Sequence, residues 1–180
     1  MTTLYLFGSA APPVLEVSGV IKDAQARGWD VCLGLTPTAA WWLEADLPSL
    51  EELTGHPVRS EYKRPDEPDV LPPPDAIVVA PATFNTINKW AYGISDTLAL
   101  GLLNEAVGLG TPVIAVPTPS TALARHPAFT ESVHRLRSWG VDVLFDPDRY
   151  PLPAPYAGSG AAELFPWDAL LERVRANGRF

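Results

Sequence analysis

One hundred and eighty residues, 47% of them apolar, suit a single domain over residues 1–180 that buries roughly two thirds of the surface its unfolded chain would expose. The formal net charge of −8 argues against nucleic acid or anionic membrane as the main partner, and no apolar run approaches the ~20 residues of a membrane helix. One cysteine, Cys32, rules out an intrachain disulfide; with an opening MTTLYLFGSAAPP that lacks a basic segment and a long apolar core, it leads to the expectation of a reducing, cytoplasmic setting.

The first apolar strand is expected at residues 4–7, followed by a Gly8-Ser9 turn. Val14, Val17, Ile21 and Ala24 recur at helical spacing, and Gly28 suits the stop. A second strand at 31–35 contains Cys32, read as a buried, inert thiol. Thr36-Pro37-Thr38 then opens a helical stretch carrying Trp41-Trp42, a pair that suits core or oligomer packing, with ring stacking as the alternative. Residues 61–74 are charged and proline-rich, too polar to bury and too interrupted for a helix.

The third strand, 76–80, breaks at Pro81 and passes through a polar turn with Thr83, Asn85 and Thr86. Ile87, Trp90, Ala91, Ile94, Leu98 and Leu102 then keep spacings of three and four, which predicts one long helix ending near Gly108-Leu109-Gly110. Further on come a strand at 112–116, a helix over about 127–139 stopped by Gly140, and a strand at 141–145. A proline- and glycine-rich loop over 146–166 and a last helix after Pro166 complete the chain. Strands without polar alternation, separated by helices, indicate an α/β fold with a mainly parallel sheet covered on both faces.

Three strand-to-helix turns fall at carboxyl ends of parallel strands, where open α/β sheets bind ligands. Gly8 lets the backbone approach a ligand and Ser9 adds a hydroxyl; an unliganded tight turn reads equally from the residues. Thr36 and Thr38 flank a rigid turn and also suit a helix cap. The polar turn before the long helix offers free backbone N–H groups to an anionic ligand. Asp96, expected two turns into that helix, could cap a loop, pair across a subunit contact or simply face solvent. No GxGxxG is present.

The run Pro81-Ala82-Thr83-Phe84-Asn85-Thr86, followed by Ile87-Asn88-Lys89 and Gly93-Ile94-Ser95-Asp96, closely resembles the PASANT signature and its following helix. That signature belongs to the homo-oligomeric flavin-containing cysteine decarboxylases. Thr83 and Phe84 replace the usual Ser and Ala, while Asn85, Thr86, Gly93 and Asp96 stand where the family has them. The resemblance implies a Rossmann-like, three-layer doubly wound sandwich that binds FMN, with a small-molecule or peptide substrate and a trimeric or dodecameric assembly. It also implies Gly8, Ser9, Thr36 and Thr38 on the phosphate side of FMN, and Ala82, Thr83 and Asn85 nearer the ring or ribityl chain, with Asp96 a further cofactor-site candidate.

The cysteine-decarboxylating half of the pattern is not matched. The family carries a catalytic His about one strand's length before PASANT; here Glu67 stands in that neighbourhood, and His56 lies in a Gly-His-Pro sequence read as a surface turn. After the fourth strand Pro117 fits the second family motif, but Pro119 and Ser120 replace its Met-Asn, and Leu123 and Ala124 its Met and Trp. His126-Pro127-Ala128-Phe129 resembles the Asn-Pro-Phe that follows, and residues 157–163 resemble the segment that closes over substrate. The resemblance thus implies an FMN-dependent redox or oxidative decarboxylation reaction. A non-catalytic flavin-binding or regulatory protein, or a transferase like the prenylated-flavin synthases, is the alternative. No metal site is expected.

Overall fold

The computed structural model describes residues 2–176, the side chains of Ser159 and Ala161 excepted. Five strands run β1 (Thr2–Gly8), β2 (Trp29–Leu35), β3 (Ala76–Ala82), β4 (Val113–Pro117) and β5 (Asp142–Val143). They pair in the order β2-β1-β3-β4-β5, every pairing parallel. All five strands expected from apolar runs are present, the last trimmed to two residues.

Alternation along each strand divides the core into two layers, since successive side chains point to opposite faces. Leu4, Leu6, Val31, Leu33, Val78 and Ile114 pack under α1 (Val17–Ala26), α3 (Leu47–Thr54) and α8 (Trp167–Ala176). Tyr5, Phe7, Cys32, Ile77, Val79 and Ala115 pack under α4 (Phe84–Ala91), α5 (Leu98–Leu109) and α7 (Pro127–Ser138). The result is the expected three-layer, doubly wound sandwich. Two further short helices, α2 (Pro37–Trp42) and α6 (Thr121–Ala124), follow the ends of β2 and β4.

Three expectations are corrected. The helical pattern from Val14 is divided into a 3₁₀ turn, Pro12–Glu16, and α1. The single long helix is two: Gly93 takes a left-handed φ of 69° after α4, and the Thr97 hydroxyl caps a new start by accepting the Leu100 N–H at 3.3 Å. Ile94 and Asp96 therefore lie in the connection and are exposed, rather than two turns into a helix beside a buried stripe. Trp41 and Trp42 do not pack in the core; Trp41 is 70% exposed. The helix α3 is one that the apolar spacings do not predict.

Residues 61–74 form the expected irregular and mostly exposed segment. Just before it, Arg59 exchanges backbone bonds with Leu33 and Leu35, so the chain briefly runs beside β2 as an extra edge. The 146–166 loop holds a 3₁₀ segment, Gly158–Leu164, and is tied by the Thr121 N–H donating to the Pro153 carbonyl at 2.9 Å.

Candidate functional site

The carboxyl ends of four strands are joined by backbone bonds: Ser9 N–H to the Pro81 carbonyl at 2.9 Å, Thr36 N–H to Gly8 at 3.0 Å, and Thr118 N–H to Ala82 at 2.9 Å. Gly8 is required at this junction, because a Cβ would meet Val14 at 2.7 Å and Leu35 at 3.2 Å. Here the backbone comes so close to its neighbours that no side chain fits.

The polar turn after β3 is organised by hydroxyls. Thr83 caps α4, its Oγ1 accepting the Thr86 N–H at 3.2 Å. Thr86 Oγ1 lies 3.0 Å from Thr83 Oγ1 and 2.9 Å from Ser9 Oγ. Ser9, at 2% exposure, therefore spends its hydroxyl inward on Thr86 instead of presenting it at the surface. The Phe84 and Asn85 N–H groups stand in the first turn of α4, where a helix has no internal acceptors for them. Together with the positive end of the helix dipole, they suit an anionic or strongly accepting group.

The other candidates fall around this junction unevenly. Ala82 is fully buried in the strand end, Thr36 is half-buried, and Thr38 and Asn85 are exposed. Asp96 lies farther along the chain, beyond α4, ion-paired with Lys89 of that helix. Thr86, not among the candidates chosen from the sequence, is the residue that links β1 to the turn; only its place in the PASANT-like run signals it. This arrangement fits a flavin mononucleotide at the start of α4, whose first-turn N–H groups have no helical acceptor, while the space beside Gly8 is filled by Val14 and Leu35.

His56 is at the far end of β2. Its Nε2 lies 2.8 Å from Asp30 Oδ1, and it is half-buried rather than a free surface turn residue. Five residue steps of β2, about 16 Å of strand, separate Asp30 from Leu35 at the ligand end. Glu67 is exposed and accepts the Arg64 N–H. The imidazole beside the PASANT-like turn is instead His126, whose ring meets Phe84 edge-on with centroids 5.6 Å apart. Its Nδ1 accepts the Ala128 N–H at 3.2 Å, so the neutral ring carries its proton on Nε2.

A separate cavity of about 490 Å³ opens on the α5 side of the sheet. Tyr5, Phe7 and Cys32 floor it, Leu98 and Leu102 of α5 wall it, and residues 69–74 roof it. Gly34 keeps it open in part, since a Cβ there would stand 2.2 Å from the Phe7 ring. Burial pushes the Cys32 thiol up to about 12, with the Asp30 carboxylate adding to the rise. Cys32 is a buried free thiol, as its apolar strand predicts.

A family model described as Flavoprotein matches residues 5–178. The bifunctional coenzyme A biosynthesis protein CoaBC of Thermococcus kodakarensis is 34% identical over 70 residues, 39% of this chain and 17% of that protein. The dihydromethanopterin reductase (acceptor) of Methanosarcina mazei is 49% identical over 43 residues, 24% of this chain and 18% of that protein. The matched segments thus span less than a fifth of either curated relative. Among solved structures, the FMN-dependent cysteine decarboxylase TvaF from thioviridamide biosynthesis superposes with a TM-score of 0.63 at 25% identity, covering 91% of this chain and 98% of the other.

Proposed function

The chain belongs to the Flavoprotein family, and on that premise we propose that it binds FMN at the carboxyl ends of β1 to β3 and uses it for a redox or oxidative decarboxylation reaction. The observation that carries this reading is the Ser9–Thr86–Thr83 hydroxyl chain, buried at Ser9 and Thr86, under the open first turn of α4. FMN, when bound, supplies the acceptor for a substrate's electrons. Thr36 and Thr38 offer hydroxyls to its phosphate side, where Gly8 and Ser9 shape the turn, the Ser9 hydroxyl itself being committed to Thr86. Ala82, Thr83 and Asn85 serve the ribityl chain or ring, Asn85 from the exposed edge of the helix start. Asp96 acts from farther off, through the Lys89 pair that ties its loop to α4.

His126 is the group on hand for proton exchange, through Nε2, since Nδ1 is committed to the Ala128 N–H. The decarboxylation of a C-terminal cysteine is not the expected reaction. His56 is held by Asp30 at the other end of β2, and Pro119 and Ser120 stand where the family's second motif has Met-Asn. That same absence favours a second reading, a flavin-binding protein without catalysis.

Exposed Trp41, Tyr92 and Leu109 support a homo-oligomer, a trimer or an assembly of trimers, in which these surfaces are covered. Anaerobic reduction of the bound flavin, followed by an added electron acceptor, separates the two readings. Rapid reoxidation supports the redox enzyme; flavin that exchanges no electrons over minutes supports the binding role. Robust carbon dioxide release from a cysteine-ended peptide or phosphopantothenoylcysteine would overturn the binding role and the expectation that cysteine decarboxylation is lost.

A further inference from the structure

The amino end of β2 gathers chemistry that the flavin site does not use. Asp30 and Cys32 are two residues apart on one strand, so their side chains share a face. His56 arrives from the turn after α3, where Gly55 adopts a φ of 73°. One ligand atom from each of the three lies within 4.8 Å of the others.

We propose that Asp30, Cys32 and His56 bind a divalent transition-metal ion of borderline softness, zinc foremost, with a fourth position open toward the cavity. A thiolate, an imidazole and a carboxylate form the mixed donor set that zinc accepts and that magnesium or calcium does not. Tetrahedral zinc with bonds of about 2.0–2.3 Å holds its donors about 3.5 Å apart. The separations are compatible with that value: 2.8 Å for His56 and Asp30, and no more than 4.8 Å for any pair.

The supporting frame is rigid. Asp30 and Cys32 sit in a paired strand, and the Thr54 hydroxyl holds the His56 backbone at both its N–H (3.2 Å) and its carbonyl (3.0 Å). Beyond His56, the Arg59 pairing with Leu33 and Leu35 fixes the chain alongside β2. Cys32 belongs to both the cluster and the 490 Å³ cavity, so a three-ligand ion would meet water or a small ligand from that side. Three protein ligands and one open position are the pattern of zinc sites that act on a ligand rather than only brace a fold. As the sulfur–zinc bond forms, Cys32 releases its proton to the buffer.

The test is zinc titration by calorimetry of the flavin-loaded protein, free of any polyhistidine tag, in buffers of different ionisation enthalpy. One zinc per chain with a proton released is expected. Cys32→Ser and His56→Gln should each bind at least ~tenfold more weakly while keeping the wild-type flavin content, which separates this proposal from the flavin reading. Cobalt(II) added to the wild-type protein should give a thiolate charge-transfer band, a readout that does not depend on any variant folding. Absence of that band, or zinc uptake unchanged in both variants, would overturn the proposal and leave an Asp30–His56 hydrogen bond beside a buried thiol.

Discussion

The Ser9 hydroxyl lies 2.9 Å from the Thr86 hydroxyl, joining the end of β1 to the first turn of α4 across 77 residues. Both side chains are buried, and Thr86 is the side-chain partner of the Ser9 hydroxyl. Thr86→Val keeps the shape and removes the bond, leaving a buried hydroxyl unpaired at a cost of about 1–3 kcal/mol. Denaturant unfolding of the flavin-free protein should show this loss, and flavin content at purification should fall with it. Unchanged values for both would mean that the contact does not organise the site.

Asn85 stands at the exposed edge of the same helix start. Asn85→Ala is expected to weaken FMN binding by roughly tenfold or more, the worth of a hydrogen bond whose partner is left unpaired. Because the side chain is exposed, stability without flavin should stay within about 0.5 kcal/mol of wild type. Fluorescence titration of the flavin-free variant checks the first number and denaturant unfolding the second.

Gly34 faces the Phe7 ring across the β1–β2 pairing, and a methyl placed there would stand 2.2 Å from it. Gly34→Ala should destabilise by about 1–3 kcal/mol through overpacking. A thermal midpoint equal to wild type would show that the Phe7 ring can swing into the cavity at no cost.

Four strands were legible because each holds an apolar run buried on both faces; β5, interrupted by Asp142, is the one the structure trims to two residues. The division between α4 and α5 was not, because apolar spacings of three and four continue through it from Ile87 to Leu102. Gly93, Ser95 and Thr97, residues that end and start helices, carried the signal that the spacing masked. Trp41 and Trp42 end a six-residue helix too short to turn both rings inward. At the site, Gly8 and Thr83 could be placed from their position at strand ends. The Ser9–Thr86 contact and the seating of His126 against Phe84 are long-range pairings that no local pattern encodes.

The oligomer proposal rests on apolar side chains left in water, Leu109 at 75% exposure among them. Light scattering on the flavin-bound protein should give a multiple of 19.4 kDa, three chains or an assembly of threes. A single chain's mass with flavin bound would contradict it.

The central claim is that the strand-end junction holds FMN. The protein purified without added cofactor, or after incubation with FMN and gel filtration, should show oxidised-flavin absorbance at one FMN per chain, released intact on denaturation. Protein that stays colourless after that incubation would contradict the account.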